Sequence, residues 1–149
     1  MPEMEIFTIG FTRKPAEKFF HLLQSSGARR IVDVRLNNVS QLAGFAKRDD
    51  LKFFVRELCS MEYVHVPDLA PTKDILDAFK KNGGNWEVYV DLFLQLLEER
   101  QVERSVPKEL LDRGCLLCSE NKPYHCHRRL VAEYLRDKWD EKLTITHLF

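Results

Sequence analysis

No apolar run in this chain approaches the roughly 20 residues that a membrane-spanning helix requires, so no membrane role is expected. Neither sign of charge is in excess, with Lys+Arg and Asp+Glu both at 23. A protein that coats duplex nucleic acid carries a basic surplus, so that partner is disfavoured. Local basic positions (Arg13, Arg29, Arg30, Lys47 and Arg48) keep a nucleic-acid or protein interaction module open as an alternative. Cysteine is scarce. Cys59, Cys115, Cys118 and Cys126 form no regular framework, which points to reduced thiols in the cytoplasm rather than to disulfides. The opening Met1-Pro2-Glu3-Met4-Glu5 is acidic and lacks the basic-then-apolar pattern of a secretion signal. No internal repeat and no low-complexity tract is present.

What remains fits a single domain over residues 1–149. The length suffices for a proper core, and 44% hydrophobic with 31% charged residues is an ordinary soluble balance that argues against global disorder. Oligomeric state is not legible.

Strand and helix patterns alternate. Ile6-Phe7-Thr8-Ile9-Gly10 reads as a first strand, and Pro15 suits the first turn of a helix with Phe19, Phe20, Leu22 and Leu23 on its apolar face. Ile31-Val32-Asp33-Val34-Arg35 is a second strand, nearly continuous in apolarity as buried parallel strands are. A long loop from Leu36 to about Arg48 follows. Asp49 or Asp50 can cap the next helix, whose stripe is Leu51, Phe54, Val55, Leu58 and Cys59. Tyr63-Val64-His65-Val66 is a third strand stopped by Pro67. Helices are expected over 72–81 and 86–104, a fourth strand over 115–118, a helix over 125–138 and a last strand over 143–146. This order implies an α/β fold of three layers, α/β/α, with a mostly parallel sheet of about five strands. The last strand is either parallel or an antiparallel edge. Strand ends after Gly10, Arg35, Val66 and Cys118 then fall along one edge of the sheet, where ligands bind in this architecture.

Asp33 is the oddest strand residue, since an unpaired carboxylate between Val32 and Val34 is costly. Residues two apart on a strand share a face, so Arg35 can pair with it. Either this is a structural ion pair, or the acid orients an arginine held for an anionic ligand; its place at a strand end favours the second.

Cys115 and Cys118 spell C-x-x-C, yet strand positions three apart point to opposite faces and cannot aim at one ion. Cys115 and Cys59 are expected as small packing residues. Cys118 and Cys126 differ, because a returning loop can bring a strand end and a helix start together. With His127, and His65 or His125, they make a thiolate–imidazole set that zinc accepts. The spacing is not a standard structural-zinc pattern, so no cofactor or metal is expected, and a metal-binding domain using Cys118, Cys126 and His127 is the alternative. Cys126 in a first helical turn beside Arg128 favours the thiolate, with His127 as base or Glu120 as proton carrier.

The catalytic candidates are therefore Asp33, Glu120, Cys126 and His127, whether or not catalysis occurs. Arg35, Ser40, His65, Cys118 and Arg128 are the ligand-binding candidates. Arginines and a helix start favour a small anionic ligand, phosphorylated or nucleotide-like. His127 shares a face with Leu130, Val131 and Tyr134 and points inward, while Arg129 is expected in solvent. Phe45 is expected as an apolar wall of the pocket, and Arg13 either reaches the same edge or stands in solvent. Gly83-Gly84 is only a turn, because no Lys-Ser/Thr follows to make a phosphate loop.

The spelling resembles the domain-of-unknown-function family number 488. The matching pieces are Thr8-Ile9-Gly10, Val32-Asp33-Val34-Arg35, Ser40 with Gly44-Phe45, Tyr63-Val64-His65-Val66-Pro67 with Leu69, and Leu116-Leu117-Cys118-Ser119-Glu120 through Pro123 to Cys126-His127-Arg128. Asn38, Gln41 and Ala70 depart from the family's pattern. The resemblance implies a small α/β protein and the position of its site, and carries no settled activity.

Overall fold

The computed structural model describes residues 4–36, 44–81, 83–118, 126–139 and 142–149. Its strands are β1 (Met4–Gly10), β2 (Arg30–Asp33), β3 (Glu62–His65), β4 (Gly114–Cys118) and β5 (Leu143–Leu148), in one sheet ordered β3-β2-β4-β1-β5. Every pairing is parallel, including β5 on β1. The chain is thus α/β with an all-parallel five-stranded sheet.

Among the described residues seven helices cover the two faces of the sheet: α1 (Ala16–Ser26), α2 (Arg48–Cys59), α3 (Lys73–Lys81), α4 (Trp86–Arg100), α5 (Val102–Ser105), α6 (Lys108–Leu111) and α7 (His127–Trp139). No described helix is long and apolar enough to cross a membrane.

Strand alternation decides which face each side chain joins. Phe7, Ile9, Phe11, Ile31, Cys115 and Leu117 pack with Phe19, Phe20 and Leu23 of α1 and with Leu51 and Val55 of α2. Ile6, Val32, Val34, Leu116 and Cys118 pack on the opposite side with Phe93 and Leu97 of α4 and with Leu130, Val131 and Leu135 of α7. β4 is buried along its whole length, as a central parallel strand must be. Its first residue must be glycine for want of space. A Cβ on Gly114 would stand 2.9 Å from Val32 Cγ2 and 3.1 Å from the Leu111 carbonyl oxygen.

One expected element is divided. The helix expected over 86–104 is broken, because Gln101 takes φ 50, ψ 49 and its N–H closes on the carbonyls of Glu98 and Leu97. The chain restarts as α5, and α6 follows after Pro107 as a further turn of helix. Short 3₁₀ turns at Gly44–Ala46 and Pro67–Leu69 also punctuate the connections after β2 and β3.

The topology positions the site. Connections from β1 and β2 run to the α1/α2 face, whereas those from β3 and β4 run to the α7 face. β4 lies between β2 and β1, so the chain leaving Cys118 departs to one side while both neighbours depart to the other. In open α/β sheets ligands bind at such a switch point, outside the carboxyl ends of the strands.

Candidate functional site

The β2 side of the rim is built on Asp33, whose carboxylate is completely buried. It accepts from the Arg35 backbone N–H at 3.1 Å, from Arg35 Nε at 2.9 Å and Nη2 at 2.8 Å, and from the Tyr63 hydroxyl at 2.5 Å. The remaining arm of Arg35 donates to the Ala46 carbonyl at 2.7 Å, and its guanidinium lies 5.6 Å from the centre of the Phe11 ring. A desolvated ion pair is tolerable only when its polar atoms are met this fully. The described bonds of Arg35 therefore face inward, holding the far end of the loop after β2 against the sheet. His65, beside Asp33 in register, donates Nε2–H to the Arg35 carbonyl at 2.9 Å.

The β4 side is built by the last residue of the central strand and the first turn of α7. Cys118 and Cys126 are buried and paired, their sulfurs in disulfide contact and their Cα atoms 7.5 Å apart. This corrects the expectation of reduced thiols rather than a disulfide for this pair, which the returning connection does bring together; Cys59 and Cys115 are free, Cys115 in the core. Arg128 is fully buried and donates from Nη1 to Cys118 Sγ at 3.2 Å. Arg129, one residue on and expected in solvent, is half-buried and pairs with Glu133.

His127 joins the two sides. Its Nε2 lies 2.7 Å from the Val34 carbonyl, which only accepts, so the proton is on Nε2 and the lone pair of the neutral ring is on Nδ1. The ring meets the edge of Phe93 at 5.6 Å between centroids. Burial is the main force holding its pKa down to about 4; the bond to Val34 opposes this, Arg128 lowers it further and Asp33 raises it. The imidazole is neutral at pH 7 and feels charges from both sides of the rim. The sulfurs of Cys118 and Cys126 and a ring nitrogen of His127 all lie within 4.8 Å of one another.

Of the two places left open for Arg13 the structure has the solvated one, and it buries the neighbouring Lys14. The Lys14 ammonium is pushed down to about 8, chiefly by burial, then by the charges of Arg128 and Lys18. A second missed group is the buried Thr8 hydroxyl, bonded to His147 Nδ1 at 2.6 Å. The signal for that pair existed only in the register of β1 on β5.

Seven expected site residues thus line the adjoining ends of β2, β3 and β4 and the start of α7: Asp33, Arg35, His65, Cys118, Cys126, His127 and Arg128. Ser40 and Glu120, with Asn38 and His125, lie outside the described residues. Phe45 is not a wall of this rim. Its ring packs on Phe19 and Phe20 at 5.3 and 5.7 Å and lines a cavity of about 360 Å³ between α1 and α2. Of the basic positions considered for nucleic acid, Arg30 donates to the carbonyls of Glu109, Leu110 and Asp112, closing the end of α6, and Arg48 pairs with Asp49.

The family described as Domain of unknown function DUF488 matches residues 15–135, which run from just before α1 to the middle of α7. The chain belongs to this family. No curated protein and no solved structure matches it. Within the DUF488 match lie β2, β4 and the first turns of α7, and so the whole Asp33–Arg35 and Cys118–Cys126–His127–Arg128 constellation.

Proposed function

We propose that this DUF488 chain is a cytoplasmic protein that binds a small anionic ligand, phosphorylated or nucleotide-like, at the carboxyl edge of its sheet. One observation carries the reading. Arg128, fully buried in the first turn of α7, is hydrogen-bonded to the end of the central strand, with the buried Lys14 in its electrostatic field. Two cations within electrostatic reach of each other at one switch point attract an anion, and the start of α7 adds its positive dipole end. Asp33 positions the loop after β2 through Arg35. The neutral imidazole of His127, and Cys126 once reduced and released from Cys118, are the described groups that a reaction at this rim would use.

The test is thermal unfolding of the untagged protein with inorganic phosphate, sugar phosphates and nucleoside mono- and diphosphates. A ligand present at about 100 times its dissociation constant stabilises by about 2.7 kcal/mol. Arg128→Gln, checked for folding by circular dichroism, is expected to lose that stabilisation. Unchanged midpoints across the whole panel would refute the reading.

A further inference from the structure

We propose that Cys118, Cys126 and His127 form a binding site for zinc, with three protein ligands and a fourth position facing the rim. The inference does not depend on the anionic ligand, since a metal would be recovered from a protein that binds none.

The donor set and its spacing come first. Two thiols and an imidazole have their ligand atoms mutually within 4.8 Å, and this is the chemistry zinc prefers. The backbone separation comes second. The 7.5 Å between the Cα atoms of Cys118 and Cys126 exceeds the span of about 4.4–6.8 Å over which relaxed disulfides form. Two Zn–S bonds of about 2.3 Å in place of one S–S bond of about 2.04 Å bridge a wider gap.

The surroundings of the ligands are the third observation. His127 donates its Nε2–H to the Val34 carbonyl at 2.7 Å, which fixes the ring and turns the Nδ1 lone pair to the remaining role. Metal-bound histidines almost always carry such an outer bond. The 3.2 Å contact from Arg128 Nη1 to Cys118 Sγ places a charge-assisted donor on one sulfur. The ligands sit on the end of a central strand and at the start of a helix, supports that hold a coordination geometry firmly.

Among the described residues the group ends at three ligands. Three protein ligands with one open position is the pattern of zinc sites that polarise a substrate or water, whereas structural sites are closed by four. Glu120 and His125 belong to the segment between the two cysteines, and substitution decides whether either closes the site.

The experiment uses untagged protein expressed with zinc and purified under a reducing agent without chelator. Elemental analysis should find about one zinc per chain, and cobalt replacing it should give a tetrahedral visible spectrum with a thiolate-to-metal charge-transfer band. Cys118→Ser and Cys126→Ser should abolish that band, and His127→Gln should weaken binding by about tenfold or more. Cys115→Ser should leave it unchanged, since Cys115 lies in the other core. Retention of full affinity in Glu120→Gln and His125→Gln would support the open position, and loss in either would overturn that part. Wild-type protein that takes up no cobalt, or that carries a Cys118–Cys126 disulfide after reduction and native refolding, would overturn the site even if the serine variants fail to fold.

Discussion

His127 donates its Nε2–H to the carbonyl of Val34 across 93 positions of sequence. That bond ties the first turn of α7 to the end of β2, and so fixes the thiol side of the rim against the ion-pair side. Removing it leaves a carbonyl without its partner, at a cost of about 1–3 kcal/mol. His127→Phe is expected to lower urea stability by that amount. His127→Gln, which keeps an N–H of similar reach, should lose less. A smaller loss in His127→Phe than in His127→Gln would mean that ring packing on Phe93, and not the hydrogen bond, is what His127 contributes.

The Asp33–Arg35 pair should behave as a unit. Both side chains are buried and each completes the other's bonds, so removing one strands a buried charge. Asp33→Asn or Arg35→Met alone is expected to cost about 3–5 kcal/mol. The double variant Asp33→Leu/Arg35→Met should cost clearly less than the two single losses added, because no unpaired charge remains. Strict additivity in a denaturant double-mutant cycle would show that the two side chains act independently.

Asp33 also shows what could be read from the chain before any coordinates. A carboxylate within a β-branched run demanded a partner, the period of two nominated Arg35, and the pair is there. The same period separated Cys115 from Cys118, which lie in opposite cores. Other features gave no signal. The apolar spacing continues past Gln101 through Val102 and Val106, so nothing local marked the helix break. Arg13 and Lys14 are equivalent in sequence, and nothing local marks the turn, with φ 61 at Arg13, after which Lys14 is buried. The acceptor of His127 is a backbone carbonyl, invisible to any reading of side chains.

Lys14 makes a prediction in pH. Its folded pKa is pushed down to about 8 from 10.5, chiefly by burial. The unfolded chain therefore holds more protons than the folded one between those values, and stability rises with pH across that window. Lys14→Met should flatten the rise and stabilise the protein at pH 7 by about 1 kcal/mol, the full shift being discounted for solvent screening at the rim. An anion at the proposed site runs the other way. It prefers the ammonium, so phosphate affinity should fall by up to tenfold per pH unit above about 8, and titration calorimetry should register proton uptake on binding. An affinity independent of pH from 7 to about 9.5 would place the anion away from Lys14.

Gly114 links the fold to the site, because it opens the strand whose other end is Cys118. A methyl group there would meet Val32 Cγ2 at 2.9 Å and the carbonyl oxygens of Leu111 and Leu110 at 3.1 and 3.2 Å. A valine methyl in a packed core has little room, and two backbone oxygens at the end of α6 have less. Gly114→Ala is therefore expected to cost about 1–3 kcal/mol by overpacking. β4 would shift away from α6, and with it the Cys118 sulfur to which Arg128 donates. Thermal unfolding reads the first effect and cobalt uptake the second. A variant as stable as the parent would mean that α6 yields without disturbing the strand.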